Sequence, residues 1–307
     1  MNISASRLCL LYAIILGLSK GFTMKTMTLL SLVVILGCMA AVMAQDQLPK
    51  LTPEQLRKGA ILYPNGGLAD EDPMPLVKKF EGLRMTDVLD AMQAIGLQER
   101  GVMDKSIRPL WRDNTDKVEH RFYGVAITYQ YLPTNKPVAG KMPYEEFRKW
   151  HSYWYKTYAP EAFVELIRPG HALVIDAQGI ENTGFVGSNN AMNWHSRGMT
   201  GVVTNGNCRD TDELILEKIP VYSKYQGGGT RPGRIESGAI NTPIVVGGVL
   251  VRPGDFIVAD GDGVIVVPRE HLDEVATIAW DIAKGDKASR LKLYEKMKKP
   301  ADATVKP

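Results

Sequence analysis

NTPIVVGGVLVRPGDFIVADGDGVIVVP, residues 241–268, decides the fold class. Four short runs of β-branched and apolar residues lie within it: Ile244–Val246, Val249–Val251, Phe256–Ala259 and Val264–Val267. Gly-Gly, Pro-Gly-Asp and Asp-Gly-Asp-Gly separate them, and these residues supply the left-handed and tight conformations that reverse a chain. Apolar runs this short, bounded by turn residues, predict strands. Upstream the pattern alternates. Ala172–Asp176, Gly201–Thr204 and Val221–Lys224 are expected as strands, with Asn189–Arg197 a helix and Asp212–Glu217 a short helix between them. Strands alternating with helices imply an α/β architecture.

Further out, Phe122–Tyr131 is β-branched and aromatic, hence a strand. Tyr144–Tyr158 places Phe147, Trp150, Trp154 and Tyr158 on one helical stripe, expected to pack, in one option against a neighbouring subunit. Arg84–Ile95 has apolar residues at helical spacing and Gly96 as its stop. The stretch Asp46 to about Pro75 is polar, an arm with one short helix near Pro53–Lys58. Glu270–Lys298 is expected as two charged amphipathic helices split near Gly285.

Composition narrows the class. The chain has 307 residues, 45% of them apolar and 23% charged, which is ordinary for a globular protein with a sizeable core. The net charge of +3 resides in the first 44 residues, which hold Arg7, Lys20 and Lys25 and no acid. The remaining 34 bases and 34 acids balance, so general attraction to nucleic acid or to anionic lipid is not expected. Lys25, the apolar run that follows and Val42-Met43-Ala44 form a signal-peptide pattern with cleavage after Ala44. Ile35-Leu36-Gly37-Cys38 is a rival lipoprotein site, and Met24 a rival start to Met1. Either way the body is expected to be exported, periplasmic or secreted, with no stable membrane span after leader removal. It then keeps one thiol, Cys208, which excludes an internal disulfide.

Several catalytic signatures are missing: no GxSxG, HExxH, P-loop or strand-linked GxGxxG occurs. His120, His151, His171, His195 and His271 are scattered without ligand spacing and are expected as surface or packing residues. Three pieces remain. In Gly201–Asp210 a strand ends in Asn-Gly-Asn and is followed by Arg209-Asp210. An Arg fork fits a carboxylate, and an adjacent Asp can hold a hard divalent cation. Gly184–Ala191 opens a helix with Gly187, Ser188, Asn189 and Asn190, whose free N–H groups make an anion site or an ordinary cap. Gly227–Arg234 sets glycines beside Arg231 and Arg234, either an anion cradle or a flexible loop.

The order of these pieces resembles the RraA-like family. VIDAQG (174–179), GSNNAMNWHSRGMTGVVTNGNCRD (187–210), PVYSKY (220–225) and the 241–268 run carry the likeness, with RMTDVLDAMQAIG (84–96) and GVMDKSIRPL (101–110) upstream. That family includes the 4-hydroxy-4-methyl-2-oxoglutarate (class II pyruvate) aldolases, formerly described as dimethylmenaquinone methyltransferase-like, and a ribonuclease-inhibiting branch. The resemblance implies a swivelling β/β/α domain over residues 80–275, between an N-terminal arm (45–79) and a C-terminal helical tail (276–307), with an insert at about 133–160. It implies homotrimers or homohexamers with sites between subunits. It implies that Arg209 binds a pyruvyl carboxylate, that Asp210 ligates Mg²⁺ or Mn²⁺, and that backbone amides of Asn189 and Asn190 help bind a small 2-oxo acid.

One position departs. The family's aldolases carry an acid within a Gly-acid motif twenty-one positions before the Arg, and Ser188 stands there, after Gly187. A hydroxyl cannot supply that negative charge. Asn189 or Asn190 would offer at most a neutral oxygen, and His195 would serve as a base only if it faced the site. The expected function is a metal-dependent lyase that releases pyruvate by retro-aldol cleavage or oxaloacetate decarboxylation; the alternative is a non-catalytic binding or regulatory protein on the same scaffold.

Overall fold

The computed structural model describes residues 61–62 and 71–306. The leader with its cleavage sites and the helix expected near Pro53–Lys58 lie outside the described residues. Twelve strands and six helices are described: β1 (Ile61–Leu62), α1 (Met74–Phe80), α2 (Met85–Ala94), β2 (Arg108–Pro109), β3 (Phe122–Pro133), α3 (Tyr144–Thr157), β4 (His171–Asp176), β5 (Gly184–Val186) and α4 (Ser188–Ser196), then β6 (Gly201–Cys208), α5 (Thr211–Leu216), β7 (Val221–Gln226), β8 (Ile235–Ile240), β9 (Ile244–Val246), β10 (Val249–Val251), β11 (Phe256–Asp260), β12 (Gly263–Val267) and α6 (Leu272–Lys296). The fold is mixed α/β, as the alternation implies.

The main sheet runs β1-β8-β3-β4-β6-β7-β2, with β5 added on β6 and the β11–β12 hairpin added on β3. Strands β3, β4, β6 and β7 are mutually parallel. Parallel strands covered on both faces favour near-continuous apolar runs, and β4 has one from Ala172 to Ile175 between His171 and Asp176. Leu173 and Ile175 enter a core shared with Trp154, Phe163, Phe185 and Trp194. Ala172 and Val174 enter a second core under the β9–β10 hairpin.

A third core lies between β11–β12 and helices α1, α2 and α6. Small residues on α6, Ala276, Ala279 and Ala283, are buried in it, so this helix is part of the packed body and continues unbroken across residue 276. The expected break at Gly285 does not occur. Gly285 is exposed, and one exposed glycine costs only about 1 kcal/mol against alanine. The polar arm likewise ends in structure: Val77 and Phe80 of α1 are buried, with the Phe80 ring 4.5 Å from that of Phe256.

Three further expectations change. Strand β6 does not end at Thr204 but continues through Cys208, its register against β7 shifting between Thr204 and Asn207. Asn-Gly-Asn is therefore an irregularity inside a strand. Gly206 is needed there because a Cβ would come 2.7 Å from Ala177 Cβ and 2.7 Å from the Phe185 ring. Strands β5 and β8, unexpected from the sequence, complete the sheet. The aromatic stripe of α3 packs in part: Trp154 is buried with its Nε1 donating to the Ile235 carbonyl at 2.9 Å, while Phe147 is exposed.

Candidate functional site

Strand β5 runs parallel to the end of β6, and this pairing assembles the site. The Arg209 amide donates to the Val186 carbonyl at 2.9 Å, so the residues after both strands emerge side by side. Gly187-Ser188 and Arg209-Asp210, far apart in sequence, thereby meet. The Ser188 amide donates to Asp210 Oδ2 at 3.3 Å, and Arg209 Nε donates to Asp210 Oδ1 at 3.0 Å. Both side chains of the pair are about one third exposed.

Asp210 has φ 53° and ψ 46°, the left-handed region that aspartate tolerates better than most residues. This turn aims its carboxylate back at the start of α4. Gly187 has ordinary extended dihedrals, and its requirement is room: a Cβ would fall 2.9 Å from Asp210 Oδ2. Helix α4 has no cap from the side chain before it and no acid in its first turn; Asp210 takes the Ser188 amide, and the amides of Asn189 and Asn190 lie in the first turn, where a helix has no backbone partner for them. Asn189 is exposed. The Asn190 side chain is turned elsewhere, its Nδ2 donating to Glu161 Oε1 at 2.7 Å.

Two alternatives that the sequence leaves open close here. The Gly227–Arg234 segment is not an anion cradle, because Arg231 is buried and paired with Glu161, and Arg234 is exposed and donates to its own loop at the Thr230 carbonyl. Its glycines serve packing: Gly229 accepts from the Gly184 amide at 2.8 Å, and a Cβ on Gly229 would fall 1.9 Å from the Asn182 carbonyl oxygen. His195 sits at the far end of α4 from Ser188. Its Nδ1 contacts the Met199 carbonyl at 2.9 Å, and it lines a separate cavity of about 930 Å³ between α2, α6 and residues 116–123.

His151, a packing residue as expected, is brought by α3 within electrostatic reach of Arg209. Burial first, and the positive charge of Arg209 second, lower its pKa from the usual histidine value. It lies between Phe147 and Tyr155 in tilted contacts, with ring centroids at 5.5 and 5.0 Å. His120 and His171 are packing residues as expected; burial drives His171 down to about 4. Cys208 is buried, which pushes its thiol up, and it is no nucleophile.

Among the described residues no three His, Cys, Asp or Glu side chains come together. Among the described residues, Asp210 is the carboxylate hydrogen-bonded to the Ser188 amide. A protein-built cage for a cation does not fit this donor set. A hydrated Mg²⁺ or Mn²⁺ fits better, since such ions are held by as few as one carboxylate, with water and substrate filling the other positions.

The sequence profile of the RraA-like group, aldolase/RraA, matches residues 85–266. The chain belongs to the RraA-like family. This RraA-like chain is 34% identical over 101 residues to a 4-hydroxy-4-methyl-2-oxoglutarate aldolase of Thermus thermophilus, a match covering 33% of this chain and 60% of that enzyme. It is 27% identical over 215 residues to Protein DlpA of Legionella pneumophila, covering 69% of this chain and 31% of that protein. The chain thus spans from about a third to about three fifths of the length of these curated relatives. Streptomyces coelicolor RraAS2, described as an unusual member of the RNase ES inhibitor RraA protein family, superposes with a TM-score of 0.56 at 24% identity, covering 74% of this chain and 97% of that one. It shares the fold. The profile match encloses Gly187–Asn190, Arg209-Asp210 and most of the 241–268 run.

Proposed function

We propose that this RraA-like chain is a divalent-metal-dependent lyase acting on a small 2-oxo acid, releasing pyruvate by retro-aldol cleavage of a 4-hydroxy-4-methyl-2-oxoglutarate-like substrate or by decarboxylation of oxaloacetate. The observation that carries the reading is the meeting of Arg209-Asp210 with the uncapped start of α4. Only Nε of Arg209 is engaged by Asp210, so among the described residues its two terminal nitrogens keep their fork for a substrate carboxylate. The amides of Asn189 and Asn190 supply donors at a positive helix end. Both reactions break a carbon–carbon bond to C3 and leave its electron pair on C3 and the C2 oxygen, as pyruvate enolate. Fixed donors directed at that developing charge lower the barrier without reorganising. Asp210 would hold Mg²⁺ or Mn²⁺, which when bound polarises the 2-oxo group as a Lewis acid. Ser188 leaves the metal one acid short of the aldolases it resembles, so this enzyme needs more metal to reach half activity. We further propose that the chain works after export, as a homotrimer or homohexamer.

The test is pyruvate release against Mn²⁺ concentration for the parent, Arg209→Lys, Asp210→Asn and Ser188→Asp. Arg209→Lys loses the bidentate grip, and one charge-assisted bond is worth roughly 1.5–3 kcal/mol, so activity should fall by about tenfold to a hundredfold. Asp210→Asn should raise the metal requirement, and Ser188→Asp should lower it. Parental turnover in folded Arg209→Lys and Asp210→Asn would overturn the site. No turnover in the parent or in Ser188→Asp would favour a binding or regulatory role.

A further inference from the structure

We propose that Glu161 and Arg231 are positioning residues, a buried ion pair that fixes the Gly187–Ser188 corner against the Arg209–Asp210 pair. The Arg231 side chain is 1% exposed and the Glu161 side chain 19%. Beyond Glu161, Arg231 donates Nη2 to the Phe185 carbonyl at 2.9 Å and Nη1 to the Ala159 carbonyl at 3.3 Å. Its Cζ lies 5.4 Å from the Tyr131 ring and 5.2 Å from the Tyr155 ring. The guanidinium therefore ties β5, two residues before Gly187, to the segment that follows α3.

Glu161 holds the other side of the same corner. Besides Arg231, its carboxylate accepts Asn190 Nδ2 at 2.7 Å and Trp194 Nε1 at 2.9 Å. Asn190 and Trp194 are four residues apart on α4, one above the other on one face. Two grips a turn apart fix both the rotation of the helix about its axis and its slide along it. The tolerance at the corner is small. The Ser188–Asp210 hydrogen bond is already 3.3 Å long, and Gly187 leaves no room for a Cβ beside Asp210. Buried ion pairs seldom add net stability over a well-packed apolar replacement. The distribution of this pair's bonds, onto the strand before the corner and the helix after it, accounts for its presence here as a device of geometry.

Only the affinity and turnover arms of the test rest on the lyase reading. Asn190→Ala and Trp194→Phe, alone and combined, remove donors to Glu161 while Arg231 still neutralises it. Amide hydrogen exchange over Ala191–Trp194, the first amides bonded within α4, oxalate affinity by calorimetry with Mn²⁺, and KM and kcat for pyruvate release are measured beside unfolding temperature. In the double variant the Ala191–Trp194 amides should exchange at least about tenfold faster than in the parent, with the amides of β11 and β12 unchanged. Oxalate should bind about tenfold more weakly, and KM should rise more than kcat falls. Unchanged exchange at 191–194, or a uniform rise across all elements that follows lost global stability, would overturn the positioning role. If the parent binds no oxalate, the lyase reading fails, and the exchange result alone decides the role of the pair.

Discussion

Two arginines are fastened to neighbouring residues of β5, Arg209 through its backbone amide to Val186 and Arg231 through its side chain to Phe185, and each has a carboxylate partner. Arg209 and Asp210 are adjacent in sequence, a third exposed, and joined by one nitrogen. Arg231 and Glu161 come from distant segments, and the arginine is removed from water altogether. An exposed pair contributes about 0–1 kcal/mol and keeps its hydrogen-bonding capacity for another molecule. The buried pair has turned both terminal nitrogens of its arginine onto the protein. The same residue types therefore act as a receptor at one site and as a fastening behind it, and burial separates the roles.

The most severe way to break this contrast is to remove each arginine in turn. Arg231→Met should lower stability by about 3–5 kcal/mol, because Glu161 is left largely buried without its counter-charge, whereas Arg209→Met should change it by less than about 1 kcal/mol. Urea unfolding of both variants measures the difference, and equal losses would erase the distinction. A substitution aimed at the exposed pair alone comes next. Gly187→Ala puts a methyl 2.9 Å from Asp210 Oδ2 while its extended backbone suits alanine, so pyruvate release should fall by about tenfold to a hundredfold at nearly parental unfolding temperature. The smallest effect is electrostatic. The positive charge of Arg209 helps hold His151 low, after burial, so Arg209→Met should raise the His151 pKa, since removing a cation favours the imidazolium. Arg231→Met should leave it where it is if the fold persists. Titration of the imidazole signals by NMR checks the pair of outcomes.

The sequence told more about the exposed pair than about the buried one, for a physical reason. Arg209 and Asp210 follow an apolar strand directly, and Gly187-Ser188 opens a helix, so local pattern suffices to mark both. The parallel strands and β11–β12 were legible because burial on both faces demands unbroken apolar residues, and β9–β10 because glycine turns bound two short runs that stay apolar even at the exposed Val245 and Leu250. Strand β8, Ile235–Ile240, was not, since Glu236, Ser237 and Gly238 interrupt its apolar character and its place is fixed by β3 and by the Tyr158 carbonyl, which accepts from Ser237 N. Asn-Gly-Asn looked like the end of a strand, yet the fold passes through it because β5 and Ala177 pack tightly at Gly206. Glu161 and Arg231 carry no local sign of each other. Seventy positions separate them, and only the folded chain brings a loop glycine-rich enough to look flexible against a carboxylate beyond α3.

Strand β3 divides its length among three neighbours. Residues 122–125 pair with β11, residues 125–130 with β4, and residues 129–133 with β8. Two of those partners belong to the last third of the sequence. Closing such distant contacts is slow, because the loops must lose their entropy before pairing rewards them. A chain cut short before Ile235 would hold a central strand with two of its three partners absent. Assembly is thus an event of the whole polypeptide, in which the last strands made are the ones that lock the middle one.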